Sequence, residues 1–501
     1  MQKQRLFTFF LFLSFVQTIA AQYSELWSVR LQGGAMTGED LLLHANGDVT
    51  ICGTNNFTAR FDALGNLIWQ TSMLLEDPLG FCVKLLPTSD GGTCAIGDYE
   101  DQTGTGNLMG LHQDASGTLL GTAIVNTPGT NTGDDFRDAA QDSEGNIYLT
   151  GQFAINFNAA AGLAKLDPLG NLLWQVALPP PPGWGFGQGY AVACSSDALI
   201  YVLARNVLGC SLLRYSAMGD LIGTTDFDIV LVENGNILAV DALGNAVFGG
   251  SHGNQFNMTK VLPNGAVLWS HDFAYQGLAA NGSHITNILC DGAGNIYGSG
   301  SAGTLFQYGL LTKFTPAGTQ VWADTTETSY MSPAYLTRNK ERMLLHNDRL
   351  TLATLYFTAH LYEYDTLGNR LSRQLFIVDG EPLPRVNAMS KDDAGDLYVT
   401  GTLPSGPSYV GYIAKFAPAA PTAVETIQMR EPTVYPVPCV DQLWMDLLPN
   451  GMPVEVVDVN GRIILNGSLQ GGMLDVSVLP NGPYILRTPD GGRTRFLKID
   501  R

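Results

Sequence analysis

Two stretches of this sequence gather the side chains best suited to recognition chemistry. Residues 179–190 read PPPPGWGFGQGY and set Trp184, Phe186 and Tyr190 among glycines behind four prolines. Aromatic faces presented in this way stack on sugar rings or peptide side chains, and the same rings can instead pack down on neighbouring elements. Residues 325–342 carry Tyr330, Tyr335, Arg338, Lys340 and Arg342, a basic cluster suited to an anion or an acidic glycan or, more plainly, to a solvated loop. Trp184, Phe186, Tyr190, Arg338 and Lys340 are therefore the candidate ligand contacts. Asp98, Glu100 and Asp101 offer carboxylates to a cation on the same reasoning.

Catalytic motifs are weaker. Gly249-Gly250-Ser251-His252-Gly253 matches G-x-S-x-G, but a nucleophile elbow needs a strand-to-helix turn, and no helix pattern follows. Gly298 to Gly303 matches G-x-G-x-x-G, yet Thr304 to Phe314 reads as a strand where a phosphate cradle requires a helix N-terminus. The seven histidines are dispersed and no H-E-x-x-H occurs. The seven cysteines form no C-x-x-C pair and read mainly as small apolar core residues, so neither a metal nor another cofactor is expected. An oxidising compartment would permit one bridge within or between repeats, with Cys52, Cys82 and Cys94 as candidates whose pairing the sequence leaves open.

The elements that must position these residues follow from composition and repetition. The 501 residues hold 27 Lys+Arg against 46 Asp+Glu, a net charge of -19, which excludes a nucleic-acid binder that works by neutralising phosphates. Charged residues make up 15% and glycine reaches 57, which favours many short strands and tight turns. Residues 1–21 read as a secretory signal peptide: Lys3 and Arg5, an apolar run from Leu6 to Val16, then Ala20 and Ala21. The run is shorter than the roughly 20 residues that span a bilayer, and no later segment is apolar enough.

One unit recurs at residues 142–151 (DSEGNIYLTG), 291–300 (DGAGNIYGSG) and 392–401 (DDAGDLYVTG), with weaker copies centred on Gly47, Gly91, Asp197, Gly244 and Asp348. A second series interleaves at residues 61–69, 166–174, 261–269 and 314–322, with degenerate copies at Gly117, Gly219 and Gly368. Both advance by about 50 residues, the size of a four-stranded sheet in a radial repeat. In each D-x-x-G-N the Asp caps a hairpin turn and the Gly supplies positive φ; the ligand density of a calcium loop is missing. These repeats resemble bacterial β-propeller repeats of the Asp-x-x-Gly-Asn-Ile-Tyr-Val-Thr-Gly type across residues 24–418. The resemblance implies an all-β, eight-bladed propeller of four-stranded blades, with seven blades as the alternative. Residues 24–31 match an outermost strand with no blade before it, and residues 411–416 match a third strand with none after it. The N-terminal strand is thus expected to complete the last blade within a propeller spanning 22–418. Both turn series then fall on one face, and the long variable connections gather on the other.

After a linker at 419–431, residues 432–501 read as six or seven short strands, a small antiparallel β-sandwich. Tyr435-Pro436-x-Pro438, the hairpin carrying Asp458, Gly461 and Arg462, the Leu474 to Leu479 run, Gly482-x-Tyr484 and the terminal Lys498 resemble the C-terminal sorting domain of the type IX secretion system of Bacteroidota. Val437 stands where that family usually has Asn. The resemblance implies export through the signal peptide, passage of the outer membrane by the type IX machinery, and release or surface attachment. The expected function is a secreted or surface-displayed propeller that binds a glycan or protein through its long-loop face, more consistent with a binding module than an enzyme. The alternatives are an extracellular polymer hydrolase or lyase with carboxylates from separate loops, and a purely structural surface protein.

Overall fold

The computed structural model describes residues 23–31, 37–72, 80–100, 106–125, 134–155, 158–178, 187–231, 236–273, 283–302, 308–326, 343–355, 359–381, 385–405, 408–418, 434–435, 439–445, 452–458, 462–470, 473–488 and 493–500. Among these residues the chain is all strand and turn, without a helix. It divides into two compact units, one within residues 19–421 and the other containing residues 422–501.

The first unit consists of eight four-stranded antiparallel sheets. Blades 1 to 7 span residues 38–72, 81–125, 135–178, 188–227, 238–273, 284–326 and 343–375, each in simple sequential order. Blade 8 is built from residues 385–418, and its outer position is taken by Tyr23–Arg30, which pairs antiparallel with Ser408–Pro418. The inner strands of consecutive blades touch in turn around a central channel, and Gly38–Leu43 of blade 1 meets Arg385–Lys391 of blade 8. The ring is an eight-bladed β-propeller.

Hydrophobic packing explains why the blades stand side by side. Side chains alternate across a strand, so a sheet pressed between two neighbours must be apolar on both faces. Ile147 and Leu149 accordingly pack toward blade 2, while Tyr148 between them packs toward blade 4. Every adjacent pair of blades shares one such buried cluster, including the pair formed by blades 8 and 1, where Ile51 and Phe57 meet Tyr398 and Ile413. Outer strands face solvent and read differently: Leu67–Ser72 alternates between exposed and half-buried positions.

The repeated turns have the geometry that their residue types demand. Asp62 Oδ1 accepts hydrogen bonds from the amides of Leu64 and Asn66 at 2.9 and 2.8 Å, and Oδ2 accepts from Asn66 Nδ2 at 2.9 Å. Gly65 takes φ +84° where an L-residue is strained. The Asn66 donors hold the Asp62 carboxyl below the usual carboxylate range. Asp142, Asp167, Asp241, Asp291 and Asp365 repeat the arrangement.

In blades 5 and 6 a tryptophan and a lysine clamp the following turn. Trp322 Nε1 and Lys313 Nζ of blade 6 both donate to the Thr366 carbonyl in blade 7, at 3.2 and 2.9 Å. Trp269 and Lys260 of blade 5 do the same to Pro316 of blade 6, at 3.1 and 3.3 Å. Lys165, Lys313 and Lys415 each lie over the ring of a tyrosine, 4.8 to 5.2 Å from its centroid. At the closing joint Trp27 Nε1 donates to the Ala63 carbonyl at 3.1 Å, the same kind of contact that Trp69, Trp269 and Trp322 make with the turns of blades 2, 6 and 7.

The second unit contains a three-stranded and a four-stranded antiparallel sheet. Leu443 and Leu474 of the first sheet, and Val456, Leu486 and Phe496 of the second, belong to one buried cluster.

Candidate functional site

Strand direction sorts the connections by face. The turns of both D-x-x-G-N series close first and third hairpins and lie together, whereas crossovers and second connections lie at the opposite end of the blades. Trp184 and Phe186 belong to the crossover between blades 3 and 4, and Arg338 and Lys340 to that between blades 6 and 7; all four lie outside the described residues, as does Asp101. Tyr190 is described, and its position corrects the loop reading. It sits inside the inner strand Gln188–Cys194 with 3% of its surface exposed, in the cluster shared by blades 4 and 5. A bulge between Gly189 and Ala191 leaves Tyr190 as the extra residue of the strand. Its hydroxyl receives a hydrogen bond from Arg205 Nη1 at 3.4 Å.

The motif serines and glycines are structural. Ser251 lies in the strand Ala246–His252, and its amide and carbonyl both bond to Val230. Gly298 and Gly300 lie in Ile296–Ala302, paired on both sides. Asp98 Oδ1 accepts the Phe136 amide at 2.5 Å and so anchors the start of the blade 3 inner strand.

The inner strands carry polar residues among their apolar ones. Asp40 Oδ2 accepts the Leu85 amide of blade 2 at 2.8 Å, and Asp138 Oδ2 accepts the Val192 amide of blade 4 at 2.9 Å. Asn387 Nδ2 donates to the Gly38 carbonyl across the closing joint at 2.7 Å. The signal in the sequence is one polar residue at or beside the bulge of an inner strand. Each ties its blade to the next.

A cavity of about 250 Å³ opens in the channel beside blades 2 to 5, lined by Lys84, Asp138, Gln141, Cys194 and Asn236 among others. Gln141 Nε2 donates to the carbonyls of Pro87 and Gly145 at 2.9 and 3.0 Å. Burial pushes the Cys194 thiol well above its ordinary range, with Asp142 and Asp138 adding to the effect, so it is held protonated. The lining offers hydrogen bonds and charge to a small polar molecule, and no activated nucleophile.

In the second unit, Asp458 Oδ1 accepts the Arg462 amide at 2.9 Å and closes the hairpin. Tyr484 Oη donates to the Pro480 carbonyl at 2.9 Å, next to the half-buried Gly482. Lys498 is 2% exposed and its Nζ donates to the Ile499 carbonyl at 3.4 Å. Tyr435 lies in the strand Val434–Tyr435; Pro436, Pro438 and Gly461 lie outside the described residues.

The class is thus an eight-bladed β-propeller with a separate strand-rich tail. Residues 433–499 match the family described as the secretion system C-terminal sorting domain. The tail marks the chain as a secreted or cell-surface protein. Among solved structures, the C-terminal WD40 domain of Sif2 aligns over 78% of this chain and 98% of its own, with 8% identity and a TM-score of 0.52. The Dos1 propeller aligns over 79% and 95%, with 10% identity and a TM-score of 0.51. Both likenesses are of fold alone. No curated protein sequence matches the chain.

Proposed function

We propose that this protein is type IX secretion cargo whose propeller, once outside the cell, binds a glycan or protein ligand through its crossover-loop face without catalysing a reaction. The sorting-domain match at residues 433–499 carries the reading. The leader at 1–21 supplies the first export step, the tail from 432 folds as a small sandwich, and the linker at 419–431 joins the two domains. Two observations favour binding over catalysis. The described motif residues, Ser251, Gly298 and Gly300, are committed to strand pairing. The inner carboxylates Asp40 and Asp138 are committed to amides of neighbouring blades. Such a scaffold holds one face regular and leaves the other free to vary, the division of labour that binding loops require.

Two measurements test this. In the native bacterium, a chain lacking residues 432–501 is expected to stay in the periplasm while the full chain reaches the surface or medium; undiminished delivery would defeat the sorting claim. The mature protein is expected to bind a glycan or surface protein on arrays, with binding reduced when Trp184 and Phe186 are replaced by Ala. Turnover of a labelled polysaccharide would favour the hydrolase or lyase instead.

A further inference from the structure

We infer that Cys52 and Cys82 form a disulfide that stitches blade 1 to blade 2 in the exported protein. The compartment, but not the geometry, rests on the export reading above. Cys52 is the last residue but one of the second strand of blade 1, Val49–Gly53, and Cys82 is the second residue of the inner strand of blade 2, Phe81–Pro87. An antiparallel bridge between Thr54 and Phe81, two residues beyond Cys52 and one before Cys82, brings those two strand ends together. Both cysteines are in the buried cluster shared by the two blades, 0% and 1% exposed.

The other candidate, Cys94, is placed elsewhere. Cys82 pairs across its hairpin with Gly97, and Cys94 pairs with Leu86, three positions further along the strand. At about 3.3 Å per residue that separates their backbones by roughly 10 Å, more than a disulfide spans. The Cys94 side chain packs toward blade 3, on the other face of its sheet.

The chemistry balances through a disulfide donor, an exported thiol–disulfide oxidoreductase. One thiolate attacks the donor disulfide, the second displaces the donor from the mixed disulfide, and the donor leaves as a dithiol. Two S–H bonds are lost and one S–S bond forms; two electrons and two protons pass to the donor. Burial, the neighbouring thiol, Asp40 and Glu39 all disfavour a Cys52 thiolate in the folded protein. Oxidation therefore belongs to folding, before blade 2 closes over blade 1.

Protein recovered from the surface or medium, denatured and alkylated without reductant, is expected to label five of its seven cysteines. Digestion should give one peptide pair joined through Cys52 and Cys82, two hydrogens lighter than the reduced pair. In parallel, chain made in the cytoplasm without residues 1–21 is refolded with oxidised glutathione and mapped in the same way. The 52–82 pair in the refolded protein supports the inference even if native fractionation finds the chain retained in the cell, which would count against export alone. Seven labelled cysteines in both preparations, or a bridge from Cys82 to Cys94, would overturn it. Reduction should lower the unfolding temperature of the oxidised protein and leave that of a C52S/C82S variant unchanged; equal shifts in both would count against the bridge.

Discussion

The Tyr23 hydroxyl donates a hydrogen bond of 2.5 Å to Glu363 Oε1, joining the first residue of the closing strand to the core of blade 7. Arg60, Lys165, Arg214, Lys260, Lys313 and Lys415 each stand two residues before the second turn of their blades, and blade 7 alone has an acid there. Glu363 is fully buried. Lys391 of blade 8 reaches its Oε1 at 2.9 Å and the Thr351 hydroxyl at 2.7 Å, while Arg349 approaches Oε2 at 3.6 Å. Gln374 holds the Tyr23 backbone at both ends, accepting from its amide at 3.0 Å and donating to its carbonyl at 2.9 Å. The charge reversal places a carboxylate where the incoming strand brings a phenol.

Substitution of Tyr23 should therefore weaken closure in two steps. Tyr23→Phe removes one donor from a buried carboxylate that keeps Lys391 and Thr351, at an expected cost of about 1 to 2 kcal/mol. Tyr23→Ala also empties the ring's place between blades 7 and 8, and about 3 to 5 kcal/mol is expected. Urea unfolding of the two variants should show this order. Equal effects would mean that the phenol's hydrogen bond, rather than its packing, dominates.

Turn glycines separate backbone conformation from contact. Gly65 and Gly91 both hold positive φ, +84° and +80°. A Cβ on Gly65 would lie 2.6 Å from Trp27 Cδ2, whereas one on Gly91 meets nothing within 4 Å. Gly91→Ala should cost only the conformational strain of about 1 to 2 kcal/mol, and Gly65→Ala about 1 to 3 kcal/mol more because the indole must move. Thermal unfolding of both proteins tests the difference, and Trp27 fluorescence should change in Gly65→Ala alone.

Much of the fold was legible because each D-x-x-G-N acts locally. Asp62 caps amides two and four residues ahead and Gly65 sits in the same turn, so the unit advertises itself, and counting units led to eight blades. Tyr23, Trp27 and Glu363 act at long range. Trp27 meets Gly65 through a neighbouring blade, and Glu363 finds its partners Tyr23 and Lys391 on the closing strand and on blade 8. Tyr190 was misread for a related reason: the inner-strand bulge that withdraws it into the core leaves no mark in a glycine-rich stretch beside four prolines and two other aromatics. The polar inner residues Asp40, Asp138 and Asn387 were hidden in otherwise apolar strands, and their partners lie on adjacent blades.

The fourth blade shows the cost of a lost glycine. Ala198 holds φ +59° in a turn that otherwise keeps the common pattern, its amide donating to the Ser195 carbonyl at 3.1 Å and Ser195 Oγ accepting the Leu199 amide at 3.1 Å. Ala198→Gly should relieve about 1 to 2 kcal/mol of left-handed strain and return part of it through the freer unfolded chain, for a net gain of about 0.5 to 1 kcal/mol. A raised urea midpoint with an unchanged slope is the expected outcome. A lowered midpoint would show that the turn has relaxed around alanine.

Acid should act on the propeller first through His44. Burial and then the nearby Arg60 guanidinium lower its pKa to about 4, against the smaller opposing pull of Asp48. Its Nε2 lies 2.7 Å from Thr50 Oγ1. Above the ordinary histidine value of about 6.5 the ring is neutral in both folded and unfolded chains, and stability is independent of it. Below that value the unfolded chain takes up a proton that the folded protein refuses, so stability falls as pH falls, until the folded ring also titrates near 4. The full shift corresponds to about 3 kcal/mol at most. His284, depressed by burial, acts in the same direction. His252, raised by its hydrogen bond to Asp272, acts in the opposite one. Carboxylates with lowered pKa values, such as Asp62 and Asp365, are affected in a lower window, as pH falls through their folded values below the ordinary carboxylate range. His44→Gln keeps a polar group beside Thr50 and removes the titration. The difference in unfolding free energy between the two proteins, followed by urea titration from pH 7 to 4, should therefore grow in favour of the variant by up to about one proton per molecule in slope. Parallel pH profiles would show that His44 is charged in the folded propeller and that Arg60 has moved away from it.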